Sequence, residues 1–387
     1  MIRLEDYQVS PKTGFLPEKD VDATAGPSFN PAWDELAAQL PKYLPGGGIQ
    51  KRIENLPPFV LPAEDAPAAT WERDMRTLSY LGHAYLWGDR SLPRAIPSVL
   101  ARPWLAVAKK IGRHPILSYA SYCLFNFRRF DPQAPAHIGN IAIVQNFLAG
   151  LDEDWFILIH VDIEARAATA LSAIPALMQA AENGELDAVV QGLEQVRQGL
   201  ADMNAVLGRM PEGCDPYIYY TRVRPYIFGT KNNPALPEGM VYEGCFDGRP
   251  QFFRGETGAQ SGIVPTIDGL LGVRHQDDPL KEYLLEMREY MPPAHRKLLE
   301  RVEAQSRVRA CVEQNRTHRP LVEIYNACFD ELYAFRAKHL EYAATYIHKQ
   351  AAQDRNSTAY GTGGTPFMTY LAKHRDETRI EVQDAMR

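Results

Sequence analysis

The sequence predicts a mainly α-helical protein, with a large helical bundle preceded by a smaller, mixed but mostly helical N-terminal domain. Long stretches with apolar residues at steps of three and four indicate amphipathic helices, whereas strand signals are weak throughout. At 387 residues the chain exceeds the usual size of one hydrophobic core, which favours two packed units. Hydrophobic residues make up 45% of the chain and charged residues 23%, which is the balance of an ordinary globular protein.

The N-terminal part of the chain, residues 1–137, is predicted to form the smaller domain. Proline and glycine interrupt it repeatedly, and short helices are expected between these breaks, over residues 32–40 and 71–87. His83 lies on the inward face of the second helix without an acidic or histidine partner at helical spacing, which indicates a structural role. The pattern changes after Pro135, where the larger domain is expected to begin.

The remaining residues, 138–387, are predicted to form an all-α bundle. Alanine, leucine and isoleucine dominate its first helix, and Gly184 provides a C-terminal stop. Residues 211–276 are rich in aromatics, glycines and prolines, and their lack of a long period separates two helical groups. The predicted helices are 155–181, 186–207, 281–289, one that restarts at His295, 321–350, and a last helix after Thr365.

The helix predicted over residues 321–350 carries His339 on its apolar stripe, the face formed by residues at steps of four and three. A neutral imidazole directed into an apolar interior can bind a metal or haem iron, because it offers one lone pair. A lone histidine on such a face is more often a hydrogen-bonded core residue, so the pattern leaves both interpretations open. Charged residues such as Arg336 are expected to lie off the stripe. The stripe runs through Cys328, Leu332, Phe335, His339, Tyr342 and Tyr346.

Two further residues stand out by their surroundings. His160 is the solitary polar side chain in the apolar run of residues 155–161, and this setting indicates a ligand pocket. Its spacing from Glu164, one helical turn later, could serve a non-haem metal, but a second nitrogen ligand is missing nearby. Arg224 lies among tyrosines in residues 219–226, where its guanidinium could clamp a carboxylate or stack on an aromatic ring at the surface.

A glycine-rich segment, residues 361–365, precedes the last predicted helix. It differs from a phosphate-binding loop because it has neither the lysine nor the preceding strand. Its glycines favour a flexible lid that approaches a ligand closely, with a plain exposed turn as the alternative. A mobile loop is therefore expected over residues 350–365.

Charge and composition argue against several classes of function. The net charge is -6 and long basic runs are absent, which argues against nucleic acid and anionic membranes as partners. The N-terminus has no apolar core of a signal peptide, and no apolar run is long enough to span a membrane. Five cysteines without CxxC spacing indicate neither a zinc knuckle nor a disulfide framework, and their odd number fits a reducing compartment. Together these features favour a cytoplasmic protein.

Together the segments closely resemble the indoleamine 2,3-dioxygenase family over nearly the whole chain. The resemblance implies a haem enzyme that inserts dioxygen across the C2–C3 bond of the indole ring of L-tryptophan or a related indoleamine, giving N-formylkynurenine. It implies one haem b per chain and an electron donor that keeps the iron ferrous. It also implies that domain 1–137 covers the distal side of a haem held by domain 138–387. The most specific matching segments are 239–244, 258–261, 288–296 and 336–339.

The resemblance also implies roles for individual residues. His339 becomes the proximal haem ligand, and Arg336 becomes the partner of a haem propionate. Arg224 holds the substrate carboxylate, while the loop closes on the polar end of the substrate. The other implied substrate contacts are Tyr119, Tyr122, Phe156, Tyr219, Tyr220, Thr257, Gly258, Gly363, Gly364 and Thr365.

Some positions depart from the mammalian members of the family. His160 stands where they have a serine and resembles the distal histidine of the related tryptophan 2,3-dioxygenases. We expect it to act in catalysis by accepting the indole N–H hydrogen bond. Tyr219 and Tyr220 stand in place of phenylalanines, which points to a substituted tryptophan or another indole as the substrate.

Two other functions are consistent with a haem site. The first is a haem-dependent enzyme of secondary metabolism that rearranges or hydroxylates a tryptophan derivative. The second is a haem sensor or carrier without turnover, which would have no use for a carboxylate clamp such as Arg224 or for a glycine lid.

Overall fold

A computed structural model describes residues 2–350 and 358–386, with the side chains of 2–350 and 358–378. As predicted, these residues are mainly helical. The α-helices are α1 (Val21–Thr24), α2 (Pro31–Ala38), α3 (Leu40–Tyr43), α4 (Ile49–Glu54), α5 (Ala68–Trp87), α6 (Ser98–Ile111), α7 (Leu151–Asn183), α8 (Leu186–Leu207), α9 (Pro216–Ile218), α10 (Ile263–Leu271), α11 (Pro279–Met287), α12 (Pro293–Gln305), α13 (Val308–Gln314), α14 (Arg319–Ala343) and α15 (Phe367–Met386). Shorter 3₁₀ turns span Leu4–Tyr7, Leu44–Gly46, Met210–Glu212, Arg224–Ile227, Phe246–Gly248, Gly258–Gln260 and Arg288–Tyr290. Turns of π-helix span Ala120–Leu124, Tyr219–Val223 and Ala344–His348.

The centre of the bundle is formed by α7, α8 and α14, which pack on one another, with α15 against α14. The helix predicted over residues 186–207 matches α8, whereas α7 begins four residues before the predicted start at residue 155. The first turn of α7 is acidic, and negative charge there stabilises the positive end of the helix dipole. Gly184 ends the helix in the left-handed conformation, with φ of 74°, as predicted.

The helix that carries His339 differs from its prediction in two respects. It starts with Arg319 and Pro320 and leaves regular α-geometry at Ala343, where a π-helical turn continues the chain to His348. The expectation that Arg336 lies off the buried side is wrong, because only 6% of this residue is exposed. The reason is tertiary packing: α10 and α15 cover that side of α14 and supply polar partners.

The N-terminal part packs around α5, whose side chains are almost all buried against neighbouring helices such as α6, α1 and α4. The predicted structural role of His83 agrees with its contacts. Its Nδ1 donates to the Tyr226 carbonyl at 2.6 Å, and its Nε2 accepts from the Leu117 amide at 3.0 Å. Both ring nitrogens are therefore satisfied within the core.

The sheets are small, in agreement with the weak strand signals. Strand β1 (Ala95–Ile96) pairs in parallel with β4 (Val241–Tyr242), and β2 (Phe127–Arg129) pairs antiparallel with β3 (Ile141–Ile143). The second pair crosses the predicted boundary between residues 137 and 138, and the division into two domains stays a prediction. Among the described helices, none combines the length and the apolar character needed to cross a membrane.

Candidate active site

One cavity of about 550 Å³ lies inside the bundle, a size typical of ligand pockets. Its wall is formed by segments that are far apart in sequence, including α7, α10, α14, α15 and the glycine loop. The predicted site residues that line it are Tyr119, Phe156, His160, Tyr219, Thr257, Gly258, Arg336, His339, Gly363 and Thr365. The other predicted site residues, which do not line it, are Tyr122, Tyr220, Arg224 and Gly364.

His339 projects from α14 into this cavity. Much of its side chain is exposed, and the surface that it exposes is part of the cavity wall rather than the outside of the protein. Within the described part of the chain it makes no hydrogen bond, so its ring nitrogens are available to a ligand. Burial, with a smaller effect from the nearby His160 ring, lowers the pKa of His339 to about 4. The imidazole is therefore neutral at physiological pH, which is the form that binds iron.

The rest of the cavity also fits a haem. Apolar and aromatic side chains such as Phe335, Tyr346 and Leu371 make up much of the wall, as a porphyrin ring requires. The Arg336 guanidinium lies on the same wall, where it could form an ion pair with a haem propionate. A neutral imidazole, an apolar wall and a cation at its edge are the features that a histidine-ligated haem needs.

A polar network surrounds Arg336 at this edge. Its Nη2 donates to Asp268 Oδ2 at 2.6 Å, and its Nη1 donates to the Thr378 hydroxyl. Burial acts to raise the pKa of Asp268, but Arg336 and His275 outweigh burial and hold this pKa to about 2. His275 in turn bonds through Nδ1 to Glu377 at 2.7 Å. Asp268 is therefore a buried carboxylate that keeps Arg336 in place.

The same network contains three groups with metal-ligating atoms within 4.8 Å of one another, namely His275, His374 and Glu377. His275 is already bonded at both ring nitrogens, since its Nε2 also lies 3.3 Å from Asp268 Oδ2. The ring of His374 stacks on that of His275, with centroids 4.7 Å apart. His275 is therefore committed to its two carboxylate partners, while the buried Nε2 of His374 has no hydrogen-bond partner among the described residues.

His160 lies on α7 and lines the same cavity as His339. Its Nδ1 lies 2.7 Å from the Phe156 carbonyl oxygen, which can only accept, so the proton must be on Nδ1. Burial lowers the pKa of His160 and favours the neutral ring. The lone pair is consequently on Nε2, which is left to accept a hydrogen bond from a ligand.

The carboxylates near His160 have other partners. Glu164 accepts from the Tyr119 hydroxyl at 2.9 Å and from the Ser261 hydroxyl at 2.7 Å. Both hydroxyls reach Oε1 of Glu164, and its Oε2 has no hydrogen-bond partner among the described residues. Asp162 bonds to His137 and to Arg166.

Aromatic rings form the inner wall of the cavity. The Tyr219 ring lies 4.8 Å from Phe156 and 5.8 Å from Tyr346, measured between centroids. Tyr122 lies behind this wall, where its hydroxyl reaches Glu153 at 3.4 Å. Tyr119, Tyr219 and Tyr346 lie in or directly beside the π-helical turns, a distortion that is frequent at functional sites because it redirects side chains.

Arg224 is fully buried behind the cavity wall. Its guanidinium stacks on Phe228, with 4.5 Å to the ring centroid, and lies 5.7 Å from the Tyr220 ring. It donates to the carbonyl of Tyr360, just before the glycine loop. Burial lowers the pKa of Arg224 to about 10, so it stays charged. The role of Arg224 as a clamp for the substrate carboxylate stays a prediction, and it would require the Tyr360 carbonyl to move away from the guanidinium.

The glycine loop is held as an ordered turn. Gly361 and Thr365 are joined by a backbone hydrogen bond of 2.8 Å, and Arg254 donates to the Gly363 carbonyl at 2.7 Å. Gly364 has φ of +73°, and a Cβ there would meet the Lys231 carbonyl oxygen at 2.5 Å, so glycine is required. Of the predicted mobile loop 350–365, residues 351–357 lie outside the described part of the chain.

Sequence reasoning missed two acidic residues of this site, Asp268 and Glu256. Asp268 lies in a short apolar helix, α10, where a single buried carboxylate is a signal that could have been used. Glu256 directly precedes Thr257 and Gly258, which were predicted to contact the substrate. It is 2% exposed, lines the cavity, and its Oε1 has no hydrogen-bond partner among the described residues.

Comparison with known proteins agrees with this geometry. The family model described as indoleamine 2,3-dioxygenase matches residues 3–381. The chain is 34% identical to indoleamine 2,3-dioxygenase 1 of Rattus norvegicus, over 97% of this chain and 95% of that protein. It is 30% identical to the indoleamine 2,3-dioxygenase of Saccharomyces cerevisiae and 31% identical to one of Aspergillus candidus, over 97% of this chain and 92% and 96% of those proteins. Since both the model and these relatives span nearly the whole chain, the protein belongs to the indoleamine 2,3-dioxygenase family.

Proposed function

We propose that the protein is a haem-dependent dioxygenase that inserts both atoms of dioxygen across the C2–C3 bond of the indole ring of L-tryptophan or a related indoleamine, giving N-formylkynurenine or its analogue. The observation that supports this most strongly is the placement of His339 and His160 on the wall of one cavity. One imidazole is neutral and makes no hydrogen bond to the described residues, and the other presents only an acceptor nitrogen. The first suits iron, and the second suits the indole N–H.

In this proposal one haem b is held by His339, with Arg336 beside a propionate. When bound, ferrous haem supplies the site at which dioxygen binds and is activated. An electron donor is needed to keep the iron ferrous. The Asp268 contact orients Arg336 before the haem arrives, which lowers the entropic cost of binding the propionate.

The protein residues mainly orient the substrate. His160 Nε2 accepts the indole N–H, while the Phe156 and Tyr219 rings set the plane of the indole. Arg224 takes the substrate carboxylate once Tyr360 releases its guanidinium, and the loop from Gly361 excludes water over the polar end. No full proton transfer to a side chain is needed in this scheme.

The free thiols support a location in the cytoplasm. All five cysteines are buried and free. Burial raises the pKa of several of these thiols, for example Cys123, which keeps them protonated and unreactive. A reducing compartment preserves this state, and L-tryptophan, dioxygen and a reductant are available there as partners.

Turnover with isotopic oxygen tests the proposal directly. We expect the haem-loaded, reduced protein to convert L-tryptophan under ¹⁸O₂ to a product that carries two labelled oxygen atoms, as measured by mass spectrometry. A product with one labelled atom would indicate hydroxylation instead, as in the alternative enzyme of secondary metabolism. Lack of any product from L-tryptophan and its analogues, with haem fully bound, would contradict a dioxygenase and favour a sensor or carrier.

A further inference from the structure

Three side chains with metal-ligating atoms meet where α15 lies beside the segment that follows α10, and none of them has a part in the proposed reaction. His275 comes four residues after the end of α10, whereas His374 and Glu377 lie one turn apart on α15. One ligating atom of each residue lies within 4.8 Å of those of the other two. Two imidazoles and a carboxylate form a ligand set that suits zinc and related divalent ions.

His275 has the hydrogen bonds of a metal-ligating histidine, with a proton in the place of the metal. Its Nδ1 lies 2.7 Å from Glu377 Oε2, and its Nε2 lies 3.3 Å from Asp268 Oδ2. In metal sites the nitrogen that does not bind the ion usually donates to a carboxylate, which fixes the orientation of the ring. Asp268 is placed for that role, so an ion between His275 Nδ1 and Glu377 would find the ring already oriented.

His374 contributes a nitrogen that the network leaves unused. Its Nε2 is buried and has no hydrogen-bond partner among the described residues, although its ring stacks on that of His275 with centroids 4.7 Å apart. Burial, helped by the nearby charge of Arg336, lowers the pKa of His374 to about 3, so the ring is neutral, which is the form that binds metals. A buried polar atom without a partner is costly, and a metal ion would supply that partner.

The charges around these groups are compatible with a divalent ion. Both nitrogens of His275 face carboxylates, which only accept, so the ring carries two protons and one positive charge. An ion that replaces the proton on Nδ1 therefore adds one net charge to this region. Arg336 is paired with Asp268, and Lys373 lies 3.6 Å from Oε1 of Glu377, the oxygen that does not face His275. Glu377 Oε2 thus stays available to the ion.

Side-chain movements are sufficient to close the site. Zinc binds its ligands at about 2.0–2.2 Å in a tetrahedral arrangement, which places the ligating atoms about 3.4 Å apart. The nitrogen and oxygen of the His275–Glu377 contact would therefore separate slightly to admit the ion, while His374 would turn out of its stack towards it. Both histidines line the cavity, so the fourth position on the ion can be filled by water.

We propose that His275, His374 and Glu377 form a binding site for a zinc ion, which displaces one proton from His275 Nδ1. Asp268 keeps His275 oriented by accepting from its Nε2. The ion joins the segment after α10 to α15, beside the contact between Asp268 and Arg336. Its role is structural: it fixes α15 at this edge of the cavity, whatever reaction takes place at the haem.

Zinc binding to the haem-loaded protein tests this site. Haem must be present because His339 and His160 share the wall of the empty cavity and could bind zinc themselves. In competition with a chromophoric zinc indicator we expect one ion per chain with a dissociation constant below about 10 µM. X-ray absorption at the zinc edge should show two imidazole ligands at about 2.0–2.1 Å. Weaker binding, or a bound ion without two imidazole ligands, would overturn the proposal.

Variants identify the ligands. His374→Leu should weaken zinc binding roughly 100-fold, and so should Glu377→Gln, which can keep a hydrogen bond to His275 and thus preserve the fold. His348→Leu, at an exposed position outside the cluster, is the matched control and should bind zinc like the parent protein. Zinc should also raise the unfolding temperature of the parent and of His348→Leu, but not that of His374→Leu. Unchanged zinc affinity in both His374→Leu and Glu377→Gln, or a loss of binding in His348→Leu, would refute the site.

Discussion

Replacing Asp268 by asparagine tests the network that positions Arg336. The ordinary pKa of the aspartate is 3.8, and Arg336 and His275 hold it to about 2 in the folded protein despite burial. Since one pKa unit corresponds to about 1.4 kcal/mol, the charged form of Asp268 stabilises the fold by about 2 kcal/mol at neutral pH. Asparagine lacks this charge, and Arg336 would be left buried beside a neutral group, which adds to the loss.

The direction of the pKa shift determines how the loss of stability in Asp268→Asn depends on pH. Because the pKa of Asp268 is lowered by folding, its stabilising effect is complete above about pH 4 and is lost as the pH falls through about 2. We therefore expect the difference in unfolding free energy between the parent protein and Asp268→Asn to be largest near neutral pH and to shrink in acid.

Urea denaturation of the haem-free protein, followed by circular dichroism, measures this difference. Asp277→Asn is the matched control, because Asp277 pairs with Lys281 on the open surface, where solvent screens the two charges and such pairs contribute little to stability. A loss in Asp268→Asn no greater than that in Asp277→Asn, or one that does not change with pH, would refute the reasoning.

Three further predictions concern the cavity. His339→Ala should no longer bind one haem per chain and should lose the haem absorption spectrum. The control His348→Ala, at an exposed position on the following π-helical turn, should keep both. A normal haem spectrum in His339→Ala would exclude His339 as the ligand. His160→Ala should lower kcat/KM for tryptophan roughly 10-fold through loss of one hydrogen bond, and should have little effect on a substrate methylated at the indole nitrogen. Arg254→Ala should remove the hydrogen bond to the Gly363 carbonyl, and we expect faster amide hydrogen exchange in residues 361–365 together with a higher KM. Exchange at the rate of the parent protein would show that Arg254 does not hold the loop in place.

The helices were the most predictable part of the fold. The period of apolar residues determined the bounds of α8 and the start of α12 closely, because amphipathic packing and proline or glycine stops are local signals. The π-helical turn after Ala343 was not predictable, since one extra residue in a turn barely changes the period. The burial of Arg336 also depended on distant helices, so a pattern within α14 could not reveal it.

The candidate site was predictable to the extent that family segments carry it. His339, His160 and Tyr219 were named from sequence and line one cavity, whereas Arg224 proved to lie behind its wall in contact with Tyr360. The importance of Glu256 could not be inferred from its aperiodic segment. Its position depends on a contact with the glycine loop, where the Thr362 hydroxyl donates to its backbone carbonyl from more than a hundred positions later in the chain.

The charges around the cavity favour one orientation of the substrate. At neutral pH the groups on the inner wall are mainly uncharged, because burial lowers the pKa of His160 and raises that of Tyr119. Full charges are found elsewhere, with Arg336 and Asp268 at one edge and Arg224 behind the wall near the loop. The charged groups of a zwitterionic amino acid would lose their solvation among these uncharged side chains, whereas a neutral indole ring would not. We therefore expect the indole ring to lie against the inner wall, with the amino-acid end of the substrate towards the loop.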